Sequence, residues 1–160
     1  MMYKQRKAFS MITAIFVIVI MATVTALVMG TAGKIVQDTT SQYQKEQAIL
    51  WAKSYTELAV MTVMSNDRNG TGNCIRDIDA DIDNPDDGEG YRVRTRISFI
   101  GNAGEVGSCA ATRTFSNSVL TVESPLNIIV DVYVEYRDLN HPNVASSPWI
   151  TYHRRTLQKI

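Results

Sequence analysis

From Phe9 to Met29 the chain reads FSMITAIFVIVIMATVTALVM, 21 residues without a charge. Its polar members are Ser10, Thr13, Thr23 and Thr25. At about 1.5 Å per residue a helix of this length spans ~31 Å, close to the thickness of a bilayer's hydrocarbon core. A soluble fold would have to enclose such a helix on every side, and the rest of the 160-residue chain has little apolar material left for that. The run therefore predicts one transmembrane helix, residues 9–30, anchoring an extracytoplasmic domain. Once the span is set aside, the length suffices for one domain and not for two.

The flanks orient the span. Lys4, Arg6 and Lys7 precede it, and the first acidic residue is Asp38. This basic excess predicts that the short N-terminal side stays in the cytoplasm and the remainder is translocated. Across the chain 16 basic and 16 acidic residues cancel. That balance supplies no basic field or stripe, so a nucleic-acid partner is not expected. Cys74 and Cys109 both fall in the translocated part, where an even pair reads as a disulfide; a reduced pair is the alternative. The bridge would close a 36-residue loop and stabilise the fold by roughly 2–4 kcal/mol. Two cysteines so far apart lack the closely spaced ligands of a zinc site.

The sequence does not break after the span. Gly30 and Gly33 are weak points at which a helix could bend, and Lys34 to Met64 has no Pro or Gly. Ala48, Trp51, Ala52, Tyr55, Leu58, Ala59 and Thr62 recur at three and four and predict one apolar face, with Lys45, Glu46, Lys53 and Glu57 mostly off it. One helix from Phe9 to Ser65 follows, with residues 31–65 as its extracytoplasmic continuation. Asn66, Asp67, Asn69, Gly70, Gly72 and Asn73 then end it.

Residues 66–160 read as strands. Ile75–Asp83 alternates Ile78, Ala80 and Ile82 with Asp77, Asp79, Asp81 and Asp83. After the turn-rich run 84–90, Tyr91, Val93, Thr95, Ile97 and Phe99 alternate with Arg92, Arg94, Arg96 and Ser98. The two strands predict a hairpin with a long loop whose aspartate and arginine rows pair across it. Residues 102–117 read as a loop with a short strand near Cys109, and Val119–Val122 as another short strand. Leu126–Arg137 is the strongest strand, alternating Ile128, Val130, Val132, Val134 and Tyr136 with Asn127, Ile129, Asp131, Tyr133 and Glu135. Trp149–Leu157 is predicted as a terminal strand paired antiparallel with it. The expected class is α+β, a long N-terminal helix packed on an antiparallel sheet of about four strands.

The N-terminus resembles the type IV pilins and the pseudopilins of type II secretion systems. Met1–Ala8 resembles their short basic leader, with Ala8 where glycine is usual before the cut. Phe9 stands where the family has its aromatic first mature residue, typically N-methylated. Thr13 stands where the family has a glutamate that pairs with a neighbouring subunit's charged N-terminus and fixes axial register. The family members that lack this glutamate are minor subunits at the filament tip, so Thr13 points to a minor pseudopilin. The resemblance covers the plan of the whole chain, from the uninterrupted helix to the small β domain with one cysteine pair. It implies a pilin-like fold and a structural subunit of a type II secretion or type IV pilus-like filament. Prepilin peptidase would cleave it after Ala8, and assembly would proceed through the helix, with Phe9 and Thr13 as assembly residues. Its partners would be other pilins or pseudopilins, an inner-membrane assembly platform and the lipid bilayer. Its place would be the bacterial inner membrane, with the C-terminal domain in the periplasm. Losing the leader would leave 13 basic against 16 acidic residues. The competing reading is an unprocessed, signal-anchored binding or sensory protein with no filament role.

Among candidate sites, Asp83, Asp86, Asp87 and Glu89 around the turn offer oxygen ligands of the kind calcium takes, although Pro85 and the late Gly88 depart from the EF-hand pattern. The alternative is a solvated hairpin loop. The family's calcium loop lies near its C-terminus and does not carry over to these residues; no other cofactor is expected. His141 and His153, with Ser146 and Ser147 beside Pro148, have no strand–turn–helix context for a nucleophile, so the chain is not expected to be an enzyme. Trp51, Tyr133, Tyr136, Trp149 and Tyr152 read as packing residues.

Overall fold

The computed structural model describes residues 6–66, 74–119 and 126–160, with side chains from Met11 onward. Helix α1 runs from Arg6 to Ser65, 60 residues. The chain forms two compact units, Met1–Thr40 and Ser41–Ile160. In the first unit α1 is exposed at every described position up to Thr39, and it is long and apolar enough to cross a membrane. Gly30 and Gly33 lie inside the helix with nothing within 4 Å of where a side chain would begin. Thr23 and Thr25 donate their hydroxyls to the carbonyls of Ile20 and Met21, each at 2.8 Å. Thr31 donates to Val28 at 3.0 Å. Back-bonding of this kind satisfies a hydroxyl within its own helix, which lowers the cost of placing it in hydrocarbon.

The second unit is α+β. Its strands are β1 (Asp77–Asn84), β2 (Glu89–Gly101), β3 (Thr114–Ser116), β4 (Leu126–Arg137) and β5 (Trp149–Lys159). The order β1-β2-β4-β5 is antiparallel throughout, and the short β3 lies parallel to the end of β2. A single turn of helix, α2 (Ala103–Val106), follows β2 and is capped by Asn102, whose side chain accepts from the amides of Gly104 and Glu105.

Alternation holds along the sheet. Val93, Thr95, Ile97 and Phe99 of β2 and Leu126, Ile128, Val130, Val132, Val134 and Tyr136 of β4 are buried on one face. The last turns of α1 cover that face with Ala48, Ala52, Thr56, Ala59 and Val63. Small residues dominate this contact, so the helix backbone can approach the sheet closely. The buried stripe is rotated from the predicted one. Trp51 and Tyr55 only flank the core, and Leu58 is 39% exposed, whereas Thr56 and Val63 are buried. The sheet selects the narrow side of the helix; the pattern of large apolar residues had favoured the wide one. Gln44, also buried, donates from Nε2 to the Arg137 carbonyl at 2.9 Å and accepts the Tyr91 hydroxyl on its own carbonyl at 3.2 Å. Burial pushes the Tyr91 phenol up to about 12, with smaller contributions from Tyr136 and Tyr43.

The hairpin is tighter than expected. Asp83 pairs with Gly90 and Asn84 with Glu89, so the connection shrinks to a 3-10 turn at Pro85–Asp87 followed by Gly88. Gly90 has φ +126, and a side chain there would run into the Ile82 carbonyl. Helix α2 and β3 occupy the segment expected to be a loop. Val119 carries no strand, and the rest of the strand expected at Val119–Val122 lies outside the described residues, as do Met1–Gln5 and the breaker residues from Asp67 to Asn73.

Candidate functional site

Two regions carry the candidate residues: the start of α1 and the outer face of the sheet. Ala8 and Phe9 lie in the helical backbone of α1, and their side chains fall outside the described residues. Thr13 lies on the exposed surface of the same helix.

The outer face of the sheet is a charge ladder. Register places Asp77 opposite Arg96, Asp79 opposite Arg94 and Asp81 opposite Arg92. The expected pairing of the two rows is present, with diagonal contacts added. Arg92 approaches Asp81 at 3.5 Å and Asp86 at 2.8 Å, and Arg94 approaches Asp79 at 3.7 Å. Arg96 reaches Asp77 at 3.5 Å and also binds Asp79, while Arg113 reaches Asp77 at 3.0 Å. The hydrogen bond that the Arg96 guanidinium donates to Asp79 is the main reason it is held above its ordinary value. These pairs are partly exposed, so each contributes little alone.

The ladder continues across β4 and β5, which the alternation by itself did not reveal. Asp131 faces Arg96 on one side and Arg155 on the other. Its side chain is only 8% exposed. It accepts from Arg155 through both oxygens, at 2.7 and 2.9 Å, and contacts His153 Nε2 at 2.7 Å. Burial pushes the Asp131 carboxyl up, but the hydrogen bonds from Arg155 and His153 outweigh it and hold the group below the usual carboxylate range. His153 also stacks on Tyr133, ring centroids 4.4 Å apart. At the other end of the face, Trp149 packs against two guanidiniums, Arg92 at 4.5 Å and Arg137 at 4.1 Å from its ring centroid.

The carboxylates considered for calcium are spread over the turn. Asp86 is engaged by Arg92 and Asp87 by Asn84, while Asp83 and Glu89 pair with different residues of the opposite strand. Among the described residues no group of three or more His, Cys, Asp or Glu side chains is arranged to hold a metal ion. The two histidines stand apart in role: His153 belongs to the Asp131 cluster, and His141 contacts the Asn143 carbonyl through Nδ1 at 2.7 Å. Ser147 is buried and Ser146 donates to the Asn143 carbonyl at 3.1 Å. Cys74 and Cys109 form a disulfide, with Cα atoms 5.0 Å apart, inside the usual range for such bridges. It ties the chain entering β1 to the segment that follows α2, and both sulfurs belong to the core.

No protein-family model, no curated protein and no solved structure matches this chain.

Proposed function

We infer that the chain is a structural subunit of a pilus-like or type II secretion filament, of the pilin and pseudopilin kind. The observation that carries this reading is the double use of α1. Its first half holds an exposed, uncharged run long enough to span a bilayer, and its last turns form one wall of a small disulfide-tied β domain. Such a helix can leave lipid for a bundle of like helices at small free-energy cost, because apolar surface exchanges one apolar surrounding for another. The leader-like Met1–Ala8 and aromatic Phe9 supply a start for the mature helix. The role is assembly, without a reaction of its own.

Partners on this reading are other pilins or pseudopilins, prepilin peptidase, an inner-membrane assembly platform and the bilayer. The domain lies on the periplasmic side of a bacterial inner membrane. Thr13 lacks the carboxylate that would pair with a neighbour's N-terminus inside an apolar bundle, which supports a low-copy position at the filament end.

N-terminal determination on protein extracted from membranes tests the processing step. A chain beginning at a methylated Phe9 is expected, and an intact Met1 start would overturn the reading in favour of a signal-anchored protein outside any filament. Cross-linking in assembled filaments tests the position. The expected result is capture at one end, and recovery along the whole shaft would refute the inference from Thr13.

A further inference from the structure

The sheet begins with an acidic strand and ends with a basic one. β1 carries Asp77, Asp79, Asp81 and Asp83 and no basic residue; β5 carries His153, Arg154, Arg155 and Lys159 and no acidic residue. These are the two end strands of the path, and among the described residues neither has a strand on its outer side. The hydrogen-bond ladders show which backbone groups face outward. Ile97 N donates to Arg76 O at 2.8 Å, and Ile160 N donates to Leu126 O at 3.0 Å. In an antiparallel pair, residues that bond to the partner alternate with residues whose N–H and C=O point away. The backbone groups of Asp77, Asp79, Asp81 and Asp83 therefore point out of one edge, and those of Thr151, His153, Arg155, Leu157 and Lys159 out of the other.

We propose that these two edges pair with each other between copies of this chain, β5 of one copy joining β1 of the next. Three features converge on this partner. The path has four successive antiparallel strands, so β5 runs opposite to β1, and a copy displaced across the sheet continues the antiparallel order. The row Asp77–Arg96–Asp131–Arg155 alternates in sign from edge to edge, so the next copy's aspartate row continues the alternation beyond Arg155. The side chains at the junction also remain accessible, with Asp81 52% and Arg155 63% exposed.

Charged residues on an edge ordinarily act as guards against unwanted pairing. Guards of one sign on both edges would repel every like copy. Opposite signs repel only β1 from β1 and β5 from β5, and attract β5 to β1. The contact is heterologous, and main-chain hydrogen bonds supply its ladder. It needs only the folded chain, whether or not that chain enters a filament, and two copies suffice, which a low-copy position accommodates.

The test uses the full chain in detergent micelles, with association followed by sedimentation over a concentration series. Wild type is expected to associate, more weakly as salt is raised. Leu157→Pro removes an N–H that points to the open edge and leaves the β4–β5 ladder intact, so association should be lost while the thermal midpoint is kept. Leu157→Ala should associate as wild type does. Lys159→Glu, which keeps the backbone donor, should require about tenfold higher concentration. A wild-type chain that stays monomeric throughout would overturn the proposal. So would undiminished association in both Leu157→Pro and Lys159→Glu, which would place the contact elsewhere on the chain.

Discussion

Asp131 occupies an unusual position for an acidic residue, nearly buried on the solvent side of a central strand. Its neighbours explain its tolerance there, since Arg155 and His153 close over it and Arg96 lies opposite. Its folded pKa is lower than the unfolded value of about 3.9, so its contribution to stability is complete above that value. The contribution is lost as pH falls through the depressed folded value. Asp131→Asn should cost about 1–3 kcal/mol near neutral pH, through weakened hydrogen bonds to charged partners. Urea unfolding at several pH values checks this, and the gap between variant and wild type should close in acid. The residue itself was visible in the alternating pattern of β4, but its burial was not. Burial there depends on β5 bringing an arginine and a histidine to the same spot from more than 20 positions away.

At the scale of elements, α1 shows how far periodicity reaches. A continuous helix from the apolar run to Ser65 was legible because no Pro or Gly interrupts Lys34–Met64. The strands were legible for a similar reason, their period of two being strict in β1 and clear over most of β2 and β4. The face that α1 turns to the sheet was only half legible. Ala48, Ala52 and Ala59 were placed correctly, while Leu58 was expected inside and Val63 was not. Around a helix with apolar residues on several sides, the closest approach of backbones decides, and that favours alanine over leucine. Ala52→Leu should therefore destabilise by about 1–3 kcal/mol, because the site has no room for added methylenes. Met61→Ser, at an exposed position on the same helix, should stay within about 0.5 kcal/mol. Thermal unfolding of both variants in the same detergent compares them directly.

For the whole molecule, the disulfide is the main covalent constraint on the second unit. It joins the start of the hairpin to the segment after α2, so the 35-residue separation becomes a short link across the core. Replacing both cysteines by serine should lower stability by roughly 2–4 kcal/mol, chiefly by releasing the unfolded chain. Comparing denaturation midpoints of wild type and the double variant measures it, and the mobility of the wild type in gels with and without reductant should differ. The alternating rows of the outer face act on the same scale. Each pair is weak, but the sequence of signs from β1 to β5 gives the sheet two unlike edges, and those edges govern how copies meet.

Local physics settled much of this protein in the sequence alone. An uncharged run of bilayer length, helix-forming residues behind it and strict alternation beyond it predicted the α+β plan, the membrane-length helix and the cysteine pair. Those features depend on neighbours a few positions apart, or, for the cysteines, on an even count beyond the apolar run. Tertiary structure decided the rest: the side of α1 that is buried, the enclosure of Asp131, the clasp of two arginines on Trp149 and the opposite charges of the sheet's two edges. Each of these depends on which strands come to lie side by side. Strand order places Arg96, Asp131 and Arg155 in one row, and their separate positions along the chain do not.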